Sequence, residues 1–364
     1  MTAPQNDAIV IEEVPISDEA DLGSIAIVTI NRPDKMNALN DEVMSGIKAM
    51  VAWAESSPHV RVVIVTGAQP NAPPEGKRAK PNAFVAGADI TEFVGKKSDD
   101  IRIMFADNAV EALWNLSKPT IAMVDGFALG GGCEVACSCD IRIASTRSRF
   151  GTPEVNLGLI PGYGATQRLA RLIGYGKTME MIFTGEMINA EEAYRIGLAN
   201  KICDAEELLE TTMAMARMIG SKSSNTLRVG KATIRAALDS GLTEGVAIEA
   251  EAFASLFDSK DKEIGVQAFI NRTTPEWQHE GKYSVERRDG GRSPRTPGSP
   301  FAGVGDVVQR QVLTLPVSVI TRILGHFCEV AHVLLNVFAS LEVAWDHITG
   351  DDSSPFFNNG ITSY

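Results

Sequence analysis

The sequence predicts an α/β protein built on a largely parallel sheet, followed by a helical C-terminal region. Two short β-branched runs, IAIVTI at 25–30 and VVIVT at 62–66, flank a helix-like segment. That is the strand, helix, strand order of a parallel crossover. Beyond Thr166 the pattern changes, and apolar residues recur at helical rather than strand spacing through residue 257.

Each element has its own signal. Asn40 precedes the first helical segment as an N-cap, a role suited to a side chain that accepts a hydrogen bond from an otherwise unpaired amide. A second helical stretch covers 101–116, and TIAMVDG at 120–126 reads as the next strand. A glycine-rich turn follows, then a helix starting near Gly131 and the strand DIRIAS at 140–145. The later helices are expected over TQRLARLIG, KTMEMIFTG, NAEEAYRIG and AEELLETTMAMARMIG, and as one long run over 221–257.

Two stretches break the periodicity. QPNAPPEGKRAKP, within 68–82, carries too much Pro for regular structure and reads as an exposed loop whose Lys77, Arg78 and Lys80 are solvated. From Gly281 the chain becomes GKYSVERRDGGRSPRTPGSP, a linker composition that cannot bury enough apolar area to offset its ordering entropy. The domain reading is therefore a core over 1–205, a helical region over 206–280, a flexible linker over 281–311 and an apolar tail over 312–364. Arg322, His326, Glu329 and Glu342 interrupt the tail, so no uncharged run reaches the roughly 18 to 20 residues of a membrane span. An amphipathic docking helix, a pair of them, and a segment foreign to the ancestral domain all remain open for it.

Bulk properties exclude several classes. The 364 residues are 44% hydrophobic and 22% charged, enough for a real core. A formal charge of −12 argues against nucleic-acid binding, which needs clustered Lys and Arg. The N-terminal segment is acidic where a targeting peptide would be basic, so a cytoplasmic protein is expected. Cys133, Cys137 and Cys139 lack a nearby His or paired CxxC, and no metal site is expected from them. A Ser-His-Asp hydrolase fits poorly, because His59 is the only His between Met1 and Trp277.

Three segments are candidates for one site: AFVAGADI at 83–90, DGFALGGGCEVACSCD at 125–140 and FGTPEVNLGLIPGYGATQRL at 150–169. In the first, a strand ends in a glycine turn that brings backbone amides near a ligand. In the second, Gly130, Gly131 and Gly132 precede a helix, so unpaired N–H groups face outward without side-chain obstruction. GGGCE lacks the Walker lysine and the spaced glycines of dinucleotide folds. Glu134 falls in the first helical turn, where a carboxylate also complements the helix dipole, and Glu154 follows Pro153 in a second glycine-flanked loop.

Together NRPDKMNALN, AFVAGADI, GFALGGGCEVACSCD, FGTPEVNLGLIPGYGATQRLARLIG and GLANKI, in that order over residues 9–280, resemble the crotonase (enoyl-CoA hydratase/isomerase) family. The resemblance implies a (ββα)-spiral core with a helical trimerisation region, and hydration of a 2-enoyl-CoA to a 3-hydroxyacyl-CoA. It also implies an oxyanion hole from the amides of Ala88 and Gly131, with Glu134 activating water and Glu154 supplying the C2 proton. For the CoA moiety it points to Arg32, Ala86, Asp89, Phe269 and Arg272. It implies no cofactor beyond the CoA of the substrate, no metal, and a homo-oligomer that is a trimer or a dimer of trimers. 3,2-Enoyl-CoA isomerisation and non-catalytic acyl-CoA binding are the alternatives, and the retention of both glutamates favours hydration.

Overall fold

The computed structural model describes residues 2–4, 6–18, 21–73 and 75–280. These fall within one compact unit, Met1–Arg292; a second unit, Ser293–Tyr364, lies outside the described residues. The linker and tail expected over 281–364 therefore lie outside them too.

Ten strands and eleven α-helices are present among the described residues: β1 (Ile9–Pro15), β2 (Ser24–Ile30), α1 (Asp41–Ser56), β3 (Val60–Gly67), β4 (Ala83–Val85), α2 (Ser98–Ala106), α3 (Ala109–Asn115), β5 (Thr120–Val124), β6 (Phe127–Leu129), α4 (Gly131–Ser138), β7 (Ile141–Ser145), β8 (Arg149–Gly151), α5 (Ala165–Ile173), α6 (Tyr175–Thr184), β9 (Ile188–Asn189), α7 (Ala190–Arg195), β10 (Lys201–Cys203), α8 (Leu208–Gly220), α9 (Ser224–Ala236), α10 (Leu242–Leu256) and α11 (Lys260–Asn271). A six-stranded sheet runs β1-β2-β3-β5-β7-β10, and a four-stranded sheet runs β4-β6-β8-β9. Pairing is parallel except for β1 with β2 and β8 with β9. Successive strands step from the large sheet to the small one before a helix returns, as in β5, β6, α4. This is the expected ββα repeat.

Strand alternation divides the core between two layers. Val62 and Ile64 of β3 face α8 through Leu208, Met213 and Ala216, whereas Val63 and Val65 face the opposite layer with α1, α3 and α4. Helix α1 forms as expected: Asn40 caps it by accepting from the Val43 amide, and Val43, Ile47, Met50, Trp53 and Ala54 make its buried stripe.

Two expectations change. The run expected as one helix over 221–257 is two helices, α9 and α10, parted before Gly241, which caps the second. The stretch over 101–116 is likewise split into α2 and α3, the latter capped by Asn108, whose side chain accepts from the Val110 and Glu111 amides. In the first the backbone entropy of Gly241, and in the second the Asn108 side chain competing for backbone amides, outweighs continued apolar spacing. The 68–82 loop is exposed as expected and is tied down by its neighbours, Lys80 donating to the Asp34 carbonyl and Asn71 to the Asp34 carboxylate.

Candidate active site

The site is built outward from the NRPDKMNALN turn. Asn37 adopts a left-handed conformation, φ 58°, which asparagine tolerates better than most residues. Its buried amide donates to the carbonyls of Ala68 and Ala83 and its oxygen accepts from the Arg32 amide. This clamp holds the turn against β3 and β4. Leu39 consequently pairs with Ala88: the Leu39 N–H donates to Gly87 O at 2.8 Å, and the Asp89 N–H donates to Leu39 O at 2.7 Å. Parallel pairing of this register directs the N–H of Ala88 away from Leu39.

Helix α4 begins beside that amide. Gly130, at φ 52° and ψ −123°, takes a backbone shape open to glycine alone, so the chain can turn from β6 directly into α4. A Cβ at Gly132 would come 1.9 Å from the Val85 carbonyl oxygen, so glycine there lets α4 approach β4. A Cβ on Gly131 would lie 3.6 Å from Ala88 N, which puts the first N–H of the helix next to the Ala88 amide.

Glu134, in the first turn of α4, is 1% exposed. Its Oε1 accepts from the amides of Tyr163 at 2.7 Å and Ala165 at 2.9 Å, the latter at the start of α5. Burial pushes its carboxyl up to about 7, with the Glu154 charge adding to the rise and the two amides and the Arg168 charge opposing it. Glu154 stands in a 3-10 turn over Pro153–Leu157, its Oε1 3.0 Å from where a Gly130 Cβ would sit. Burial raises it as well, and its Oε2 is buried without a partner among the described residues. Two carboxyls of raised pKa thus stand beside two unpaired amides. One can hold a proton while the other takes one, next to donors suited to a developing oxyanion.

Of the residues expected to meet CoA, Arg32 and Asp89 bind each other at 3.1 Å, Arg32 also donating to Ala38 O at 2.6 Å and Asp89 accepting from the Thr91 hydroxyl at 2.7 Å. Ala86 donates its amide to Met36 O at the same turn. Phe269 is 86% exposed and Arg272 caps α11 in a left-handed conformation. No hydrogen bond or ion pair among the described residues joins either to the carboxyl pair. Sequence reasoning did not find Asn37, or the Tyr163 and Ala165 amides that hold Glu134. Arg168 was also missed, although a charge on the buried stripe of α5 with Ala165 and Leu169 was its signal. Among the described residues no group of His, Cys, Asp and Glu is arranged to hold a metal, and no helix is long and apolar enough to cross a membrane.

A two-sheet ββα spiral with two carboxyls of raised pKa at the head of a glycine-led helix is the architecture of an α/β enzyme with a candidate acid-base site. Residues 21–280 match the family model described as enoyl-CoA hydratase/isomerase. A short-chain-enoyl-CoA hydratase of Clostridium acetobutylicum is 41% identical over 69% of this chain and 92% of its own length. A crotonyl-CoA hydratase of Syntrophomonas wolfei is 39% identical over 68% of this chain and 92% of its own. A crystal structure of an enoyl-CoA hydratase from Bacillus anthracis superposes with a TM-score of 0.66 at 31% identity, covering 75% of this chain and all of that one. The chain belongs to the enoyl-CoA hydratase/isomerase family, and it is an enzyme of the hydratase type.

Proposed function

We propose that this enzyme adds water reversibly across the double bond of a 2-enoyl-CoA, with Glu134 and Glu154 as the catalytic pair and the Ala88 and Gly131 amides as the oxyanion hole. The observation that carries the assignment is the buried Glu134 carboxyl and the half-buried Glu154 carboxyl, its Oε2 enclosed, beside those two amides. The thioester oxygen accepts from both N–H groups, each worth about 2.7 to 4 kcal/mol as charge develops there. Glu134, whose Oε1 is fixed by two amides, takes a proton from water as the hydroxyl adds to C3. Glu154 delivers its proton to C2. In this reading both acids act from one side of the substrate plane, so that the addition is syn.

The hydrogen bonds support this assignment of roles, against the burial that pushes the Glu134 carboxyl up to about 7. Two amide donors favour the carboxylate form of Glu134, whereas the partnerless Oε2 of Glu154 favours its neutral form. The Glu154 charge raises Glu134 further, so in this reading the active state carries one proton on the pair.

The chemistry draws on no cofactor beyond the CoA of the substrate. Arg32, Ala86 and Asp89, clustered on the turn beside the amides, form the near side of the CoA site, and Phe269 and Arg272 belong to the part supplied by a neighbouring copy in a trimer or dimer of trimers. In this reading residues 1–205 form the catalytic core and 206–280 the assembly region. The free thiols of Cys133, Cys137, Cys139 and Cys203 support a reducing setting such as the cytoplasm.

The test is crotonyl-CoA hydration by purified protein, followed by loss of the enoyl thioester absorbance. E134Q and E154Q each lower turnover by about 10² to 10⁴ while leaving the fold intact. Wild-type rates in both variants would refute the assignment.

A further inference from the structure

Besides the carboxyl pair, the site contains a buried cation that the proposed reaction does not use. Arg168, on α5, is 8% exposed. Its guanidinium folds back under the start of its own helix, where a Cβ on Gly164 would lie 2.3 Å from Nη1; Gly164 itself has φ +107°. Nη1 donates to the Tyr163 carbonyl at 2.7 Å, and Nη2 donates to the Glu111 carboxylate of α3. The guanidinium carbon also lies 4.7 Å from the centre of the Trp114 ring, whose other cation contact is Arg235 at 4.0 Å.

We infer that Arg168 is a positioning residue for the water-activating step: it clamps the Tyr163–Gly164–Ala165 turn whose two N–H groups hold Glu134, and so fixes the orientation and charge state of that carboxylate. The inference rests on the reading of Glu134 as the base. Nη1 grips the peptide carbonyl one residue before Gly164, while the amides on either side of Gly164 bind Glu134 Oε1. Gly164 leaves this turn free to shift, so the clamp removes motion that the glycine permits. Glu111 and Trp114 anchor the other edge and face of the guanidinium on α3, a contact that a flexible ammonium would not reproduce.

A merely structural ion pair is the competing account. Glu111 is half exposed, and such a pair adds little stability. It also does not require the guanidinium to reach Tyr163. The charge acts on Glu134 as well, together with Glu154 from the 3-10 turn, while Cys133 and Cys137 on α4 feel the Glu134 charge in turn; Glu111 of α3 pairs with Arg168 and Arg142 of β7 lies against Cys137. Arg168 favours the carboxylate, so its removal raises the pH at which Glu134 becomes a base.

The test compares R168M, R168K and E111Q in the full chain with crotonyl-CoA, with E134Q as control. R168M is expected to lower kcat at neutral pH by at least about tenfold with KM within about threefold, a pattern specific to lost transition-state geometry. It also moves the acidic limb of kcat/KM upward by about one pH unit, the size expected for losing a nearby opposite charge. R168K restores most of the limb position, because charge is kept, but not kcat. If R168M fails to fold, E111Q decides: it loosens the far anchor, lowers kcat by about two- to fivefold, and leaves the limb unchanged or lower because a negative charge is gone. Wild-type kcat and an unmoved limb in folded R168M, or wild-type kcat in E111Q where R168M does not fold, overturns the inference. Collapse of activity in E134Q alongside those results leaves the hydratase reading standing; wild-type activity in E134Q refutes that reading instead.

Discussion

Glu134 illustrates why a site can be named from sequence and still not be understood from it. Its place in the first turn of a glycine-led helix is readable, but the amides that hold it come from residues 29 and 31 positions further on. No local pattern reports such a contact. The consequence of burial is testable. With its carboxyl raised to about 7, the acidic limb of kcat/KM falls near neutrality rather than at the roughly pH 4 of an ordinary glutamate. A limb below pH 5 would contradict the buried, coupled arrangement. Stability follows the same shift. Between the unfolded value near 4.5 and the folded value near 7 the native state binds the extra proton, so stability is fully present below the lower value and declines as pH rises through the upper one. E134Q removes this titration while its amide oxygen still accepts from Tyr163 and Ala165. It should melt higher than the wild type at pH 8, by about 2 kcal/mol in stability, and the gain should fade toward pH 4. An equal gain at both pH values would count against it.

Among the elements, β2, β3, β5 and β7 of the large sheet were legible because they are five to eight residues long, enough for β-branched runs to register, whereas β1, with Glu12 and Glu13 in its middle, and the three-residue β10 were not read. Of the small sheet only β4 was legible from the residues, as the strand that ends in the glycine turn of AFVAGADI; β6, β8 and β9, of two or three residues each, are too short to display a period. The start of α4 is where this second sheet matters, since β4 and β6 set the two amides side by side. Gly131 sits at the first helical position, where proline is tolerated because that N–H has no partner within the helix. G131P therefore deletes one donor while the helix is retained. It should lower kcat by about 10² to 10³ with a much smaller change in KM. G131A keeps the N–H, and its methyl meets the end of the flexible Leu39 side chain at 2.9 Å, so it should retain activity within about tenfold. If G131P raised KM alone, the amide would bind substrate and transition state equally, contrary to the oxyanion role.

At the scale of the whole chain, the family match and the described fold both run to residue 280, and the composition turns to linker at Gly281. The contacts of residues 277–279 explain why the cut belongs there and not earlier. Asp261, 1% exposed, accepts from the amides of Gln278 and His279 and from the Ser223 hydroxyl, and the Trp277 indole donates to Ser221 O at 2.8 Å. Those contacts fasten residues 277–279 across the starts of α9 and α11, where His279 Nδ1 also accepts from the Ser224 amide. A chain ending at Glu280 keeps all of them, together with every residue assigned to the site. Its kcat should stay within about threefold of the full chain, a barrier change below about 1 kcal/mol. A chain ending at Arg272 loses the amides that satisfy Asp261 and leaves a buried carboxylate with too few donors, so it should be less stable by about 2 kcal/mol or more. The two truncations separate chemistry from folding when melting and turnover are measured on both. A folded, soluble 1–280 chain with no turnover would mean that residues beyond 280 complete the active site. Equal stability of the 1–272 and 1–280 chains would mean that the Asp261 contacts do not hold the C-terminal helices in place.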